Sequence, residues 1–456
     1  MLLVSVIVWL LCVTLLALFV RSHTNLHLSL GLAYLISLTF LHFLGALIYL
    51  DASYDPTADV YLRSKGTTSL QTIVGFGVAT QFTVAYCVAY VSCVLAMFRK
   101  KSNFPFDLKP ILHAPQVQKQ LKKKLLGLFR LIFGLSLSFY GIYFILDFAN
   151  IPSVSQLFAQ GPVMLISSVM VAELLFPLGY ELYFLIGLLC VLILFVQGFL
   201  SYSVSYIVII SGLLLSYKNI QKAYFLYGSV ILFFAAVGLK AWLTSREVIR
   251  TLLFNGDSLS LDIVGQFLMQ FYREFILSFQ SDYASLFIAI DTRINLNNIL
   301  GRVVLNWTPD IAIESINQLY VAFIPRLVWP GKPTLTGSAD WVRQLADMLI
   351  AKDVSVGLGH IGELYGNFGG LGVWFGAIVI ACIFATLDYK VNYHIYKMTF
   401  LDAWGFLMIG LSLIQPGGIF VKALNAAFIT TVTFLLVRLL LKNLVSSKST
   451  QGYIQL

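Results

Sequence analysis

The chain runs apolar, again and again, for long enough to cross a bilayer, and no other property of it limits the fold as strongly. A hydrocarbon core of about 30 Å takes roughly 20 helical residues to span. Runs near that length occupy 2–20, 28–50, 73–98, 125–146, 183–199, 204–217, 223–239, 371–387, 400–414 and 419–441, with a weaker one at 163–178. Only 11% of the residues are charged and mean hydropathy is +0.86, which sets soluble globular classes aside. The expected fold class is an all-α polytopic membrane protein with about 10–12 transmembrane helices. The first run starts at Met1 without a basic flank and without a small-residue cleavage site before Arg21, so it reads as a retained span.

Charge placement gives an orientation. Residues 99–124 hold eight Lys/Arg, seven of them lysine, against the single acid Asp107. Such an excess marks a cytoplasmic loop, and its position between two apolar runs argues against nucleic acid as a partner. Alternation then puts 21–27, 218–222, 389–397 and the tail on the same side, each with a positive residue. The loop with Asp51, Asp55 and Asp59 falls outside, as does nearly everything from 244 to 370. Three parts result: 1–243, N-terminal spans with the basic loop; 244–370, one large extracytoplasmic helical segment between two late spans; and 371–456, C-terminal spans with a short tail.

The five cysteines, Cys12, Cys87, Cys93, Cys190 and Cys382, lie inside apolar runs without CxxC or His-partnered spacing. Packing is the expected role, with neither a disulfide framework nor a zinc site.

The external segment is where polar surface gathers, and function is sought there. It carries nine Lys/Arg and twelve Asp/Glu, and seven of the nine cations are arginine. Arginine's fork of donors suits phosphate or carboxylate, whereas solvated lysine suffices to face lipid headgroups. The contrast points to an anionic ligand outside, with pairing to local acids as the alternative for any single one of these arginines. Phe267, Phe271, Phe275 and Phe279 recur four apart, opposite Gln266, Gln270, Arg273 and Glu274, which predicts an amphipathic helix at the membrane surface.

Two stretches stand out. "FIPRLVWPGKP", residues 323–333, sets Arg326 and Lys332 among three prolines, where neither helix nor central strand forms. Trp329 within it suits a headgroup anchor or a sugar-stacking face. "GLGHIGELYGNFGGLG", residues 357–372, has seven glycines that permit close backbone approach or act as helix-packing notches. In a first helical turn, His360 and Glu363 share one face, and a carboxylate beside an imidazole can accept a hydroxyl proton. A helix-end carboxylate and a loop histidine are the structural alternatives. Lys422, just inside the last apolar run, is a further candidate, with snorkelling as its alternative role. No Asp-x-Asp, HExxH or paired-histidine motif occurs in the segment, so neither a metal nor another cofactor is expected.

Taken together, "FIPRLVWPGKP" and "GELYGNFGGLGVWFG" at the start of a late span resemble the Wzy-type O-antigen and exopolysaccharide repeat-unit polymerases of bacterial plasma membranes. The resemblance covers the multi-span layout, the external segment and these two motifs; the first half of the chain matches in hydropathy alone. It implies a glycosyltransferase of GT-C type that moves a growing glycan from undecaprenyl pyrophosphate onto the non-reducing end of a lipid-linked repeat unit. Its partners would be that lipid-linked oligosaccharide, the bilayer, a chain-length regulator and a flippase. Arg326 and Lys332 would match the family's basic Pro-rich loop, and Glu363 and Tyr365 its Glu-Leu-Tyr motif; the family's further external-loop arginines, which vary in position, are carried to Arg293 and Arg302. Two other readings stay open: an O-antigen ligase, and a lipid-linked oligosaccharide transporter or flippase.

Overall fold

In a computed structural model of the chain, residues 1–23, 26–99, 115–148, 160–175, 237–238, 240–242, 244–245, 261–279, 283–318, 320–321, 324, 329, 338–348, 357–397, 399–415 and 417–446 are described. They form helices and connecting turns, with no strand among the described residues. Six of these helices are long and apolar enough to cross a membrane. The apolar runs 183–199 and 204–217, nearly all of 223–239, and the loop residues 100–114 lie outside the described residues.

Helix α1 (Leu2–Ser22) is apolar on every side, as a lipid-facing span must be. It buries Val6, Trp9, Leu16 and Val20 and leaves Leu3, Ile7, Leu11 and Leu15 exposed. Helix α2 (Leu30–Leu38) passes through a π-turn (Thr39–Phe43) into α3 (Leu44–Ile48), together one span. A short α4 (Val60–Ser64) precedes α5 (Ser69–Arg99), the central span. Helix α6 (Pro115–Phe148) starts before its apolar run, so the lysines at 119–124 belong to its first turns. Helix α7 (Gly161–Leu175) follows the weak run.

The chain near residues 23–28, 98 and 388–394 comes together at one end of the bundle, while residues 100–114 of the basic loop lie outside the described residues. The Phe98 ring lies 4.9 Å from His23 and 5.3 Å from Tyr389, and Asn392 holds the backbone of His27 and Leu28. His394, Asp402 and Arg438 cluster there too, the Arg438–Asp402 ion pair closing at 3.2 Å. That end is rich in Lys390, Lys397 and Arg438.

A buried polar knot pins α2 there. The first N–H groups of a helix have no partner within it. Here Leu30 and Gly31 donate to the Asp388 carboxylate at 2.5 and 3.0 Å, and Ser29 and Tyr90 add their hydroxyls at 3.0 and 2.5 Å. Asn392, one turn on, accepts from His27 and Leu28 and donates to the Leu28 carbonyl. A carboxylate at a helix N-terminus is also favoured by the dipole. Asp388 is fully buried.

At the opposite end, helices α8 (Leu261–Ser278), α9 (Tyr283–Arg293), α10 (Leu296–Asn306) and α11 (Ser338–Ala346) carry the polar segment. The four phenylalanines of α8 form the expected ladder, with successive ring centroids 6.2, 6.0 and 5.2 Å apart. Leu268, Met269, Tyr272 and Ile276 are exposed on the same helix. Helix α10 lies on α5 at backbone contact, because a Cβ at Gly75 would stand 2.1 Å from the Asn297 carbonyl and one at Gly301 would stand 1.7 Å from that of Gln71. Asp291 ties α9 to the first loop at this end: Tyr49 and Tyr54 donate to it at 2.7 and 2.8 Å, and Asn295 at 2.6 Å.

Burial holds the Asp291 carboxyl above its ordinary range in spite of those donors. Stability from this group is therefore present at low pH and is lost as pH rises through the raised value. Asp291→Asn should remove that pH dependence and, by turning an amide N–H₂ toward a buried donor, cost about 1–3 kcal/mol. Thermal unfolding in detergent across pH checks both; an unchanged midpoint and an unchanged pH profile would contradict them.

The largest departure from the sequence reading concerns α12. An apolar run at 371–387 predicts a span that starts after the polar segment ends. Instead helix extends over Gly359–Tyr396, broken at Gly369, whose φ of 60° and ψ of −151° suit glycine alone. The break folds the first arm, 359–368, back along the second. In a straight helix, 24 residues would separate His360 from Phe384 by about 36 Å. Yet both rings pack on Tyr34, at centroid distances of 5.9 and 4.8 Å. Gly372 and Gly376 are the notches that receive the returning arm: a Cβ on either would stand 2.3–2.4 Å from Leu364 atoms. Helix α13 (Phe400–Leu413) then rises only 14 residues before the chain breaks and turns into α14 (Phe420–Ser446).

Candidate functional site

The returning arm carries His360 and Glu363 into the helix bundle instead of leaving them on an exposed loop. Each is 1% exposed. The expected one-turn spacing on a helix holds, with α12 starting at Gly359. The arm is fastened at its far end by the Gly366 carbonyl, which accepts from Trp307 Nε1 and from the Ile313 N–H, each at 3.0 Å. A Cβ at Gly369 would press to 2.8 Å on the Trp307 ring, so the fold-back and its wedge are built from the same two residues.

His360 stacks on Tyr34 and meets the Phe420 ring edge-on at 5.4 Å. Its Nδ1 lies 3.1 Å from the Tyr34 hydroxyl, while its Nε2 is buried without a hydrogen-bond partner. If Tyr34 donates to Nδ1, the ring proton resides on Nε2 and faces the interior. The Glu363 carboxylate caps the next broken helix: Oε2 accepts from the Phe420 N–H at the start of α14. Its Oε1 makes no hydrogen bond of sound geometry, although the Ser315 hydroxyl and the Val421 N–H stand close by. Ser315 is itself held by Asn367 Nδ2 at 2.8 Å, and Asn367 also donates to the Glu363 carbonyl. Lys422, exposed and one turn into α14, adds its charge to the field at Glu363.

An imidazole nitrogen and a carboxylate oxygen thus sit on one helix face, each unengaged. A buried polar atom without a partner costs roughly 1–3 kcal/mol, so each is costly to keep unless something engages it. A hydroxyl has the complementary chemistry, able to accept from an Nε2–H and to donate to a carboxylate oxygen. Among the described residues no group of three His, Cys, Asp or Glu is placed to hold a metal ion.

The other candidates are placed as follows. Tyr365 is half-buried and packs edge-on to Trp307 at 5.9 Å. Trp329 is 36% exposed. Arg302 is buried on α10, where its guanidinium donates to the carbonyls of Lys65 and Gly66 and, at 3.1 Å, to Asn298 Oδ1. Burial lowers its pKa, but all three acceptors are neutral. Its placement therefore fastens the first loop, with the Asp347 carboxylate adding a favourable charge nearby. Arg293 ends α9, with its side chain outside the described residues, and Arg326 and Lys332 lie outside them altogether.

Tyr34, Ser315, Trp307 and the Phe420 N–H belong to the site without any signal in the sequence. Tyr34 reads as one more aromatic in an apolar run, and a backbone donor has no side-chain signature. No family model matches the chain, and neither curated proteins nor solved structures give a match.

Proposed function

We propose that this protein is a membrane glycosyltransferase of the polysaccharide-polymerase type, acting on lipid-linked oligosaccharides at the extracytoplasmic face of a bacterial plasma membrane. One observation supports the reading: Glu363 and His360, one helical turn apart on α12, are both buried, and Glu363 Oε1 and His360 Nε2 each lack a hydrogen bond of sound geometry. In this mechanism the non-reducing-end hydroxyl of the acceptor repeat unit donates to Oε1 and is oriented by Nε2. As its oxygen bonds to the anomeric carbon of the donor glycan, its proton passes to Glu363 and the bond from that carbon to undecaprenyl pyrophosphate breaks.

Charge that develops on the pyrophosphate calls for cations placed in advance. Arg326 and Lys332 fill that role on the sequence pattern, their loop stiffened by prolines that lower its ordering cost. Lys422 contributes positive potential beside the acceptor. Trp329, Tyr365, Arg293 and Arg302 are assigned to glycan or pyrophosphate contacts from sequence alone, and the carbonyl partners of Arg302 favour a scaffolding part for it.

The returning arm of α12 and the break between α13 and α14 also support a second reading. Broken helices with their ends inside a bundle are common in transporters, where they line a substrate path. Analysis of surface glycan in a deletion strain separates the readings. Loss of long chains while single repeat units still reach their acceptor supports a polymerase. Loss of all transfer points to a ligase, and repeat units stranded on the cytoplasmic leaflet point to transport.

A further inference from the structure

The cysteines, read from sequence as packing residues, do not all stay apart. Cys93 on α5 and Cys382 on α12 are 289 positions apart in the chain, yet their Sγ atoms approach to 3.0 Å. Sulfur atoms that merely pack rest farther from each other than this. A disulfide bond is about 2.05 Å long, so small side-chain rotations would close the remaining gap.

The surroundings fit oxidation better than metal binding. A zinc or similar site needs four ligands at about 2.0–2.3 Å, and no third ligand group accompanies the pair among the described residues. Both thiols are half-buried, on helices whose Val88, Leu95 and Ile378 within five residues of them are exposed and apolar. Cys93 precedes Arg99 by six residues and Cys382 precedes Asp388 by six, about 9 Å of helix in each case. The pair therefore lies below the basic end, inside the apolar layer. Exchange with a water-soluble disulfide needs a thiolate, which a low dielectric disfavours.

We propose that Cys93 and Cys382 are a dithiol oxidised by a lipid-soluble quinone. Two S–H bonds break and one S–S bond forms, while the electron pair and both protons pass to the quinone and yield the quinol. No charge is left behind in the apolar layer, which is why a quinone suits this depth. The bond would lock the long arm of α12 onto α5, and it is against this arm that the His360–Glu363 arm folds. The redox pair stands independently of glycosyl transfer.

The test uses the full-length protein in liposomes with Cys12, Cys87 and Cys190 replaced by serine, exposed to duroquinone, whose ring is fully substituted and resists thiol addition. After denaturation, maleimide labelling should fall from two thiols per chain to none and return to two on reduction, without a dimer band. Cys382→Ser in that background should leave Cys93 fully labelled. Two labelled thiols after quinone, a dimer, or loss of Cys93 labelling in the Cys382→Ser variant would each overturn the proposal. Should the serine variants fail to fold, peptide mapping of the wild-type chain decides: a linked Cys93–Cys382 peptide supports the pair, and both peptides alkylated after quinone rule it out.

Discussion

Glu363→Gln is expected to leave the protein folded and inserted while glycan elongation falls by roughly 10²–10⁴-fold, the range that loss of a general base produces. The amide keeps an oxygen to accept from the Phe420 N–H, so the start of α14 stays capped. What it loses is the capacity to take a proton at the unengaged position. Glu363→Ala removes the cap as well and leaves a buried N–H without a partner, which adds a stability cost of about 1–3 kcal/mol. The two variants therefore separate chemistry from scaffolding. A glutamine variant with full polymer length and yield, beside an alanine variant that misfolds, would reduce Glu363 to a helix cap. Polymer length on a gel, normalised to membrane-inserted protein, is the readout.

The second large effect is on the fold. Asp388→Ala should abolish accumulation of the folded protein. Its carboxylate accepts from Leu30, Gly31, Ser29 and Tyr90, all fully or almost fully buried. Each donor left unsatisfied costs roughly 1–3 kcal/mol, and several together approach the whole 5–15 kcal/mol by which a typical protein is stable. Asp388→Asn keeps one acceptor oxygen and should fall between wild type and alanine. Monodispersity in detergent and thermal midpoint measure this. An alanine variant as stable as wild type would show that the knot does not hold α2.

Much of the architecture follows from the apolar periodicity, because the physics that makes a span also makes it visible. The runs at 2–20, 28–50, 73–98, 125–146 and 419–441 all became helices. The phenylalanine spacing of α8 and the His360–Glu363 spacing are local and were readable for that reason. Gly372 and Gly376 were readable as notches, but not what fills them. The fold-back at Gly369 was hidden because its cause is tertiary: Trp307, 62 positions away in the chain, wedges the turn. Asp388 carries no signal in the sequence, since its partners lie on α2 and α5. The Cys93–Cys382 contact depends on the relative register of two helices, which one sequence does not encode locally. The family resemblance suggested an anion site at Arg302, yet backbone carbonyls, which carry no residue signature, claim its guanidinium.

Catalysis by the His360–Glu363 pair is tested most directly with purified protein in liposomes, supplied with lipid-linked repeat unit and nothing else of the pathway. Wild-type protein is expected to yield elongated lipid-linked glycan with release of undecaprenyl pyrophosphate, and Glu363→Gln almost none. Equal elongation by both proteins, or repeat units that cross the bilayer with no new glycosidic bond, would contradict it.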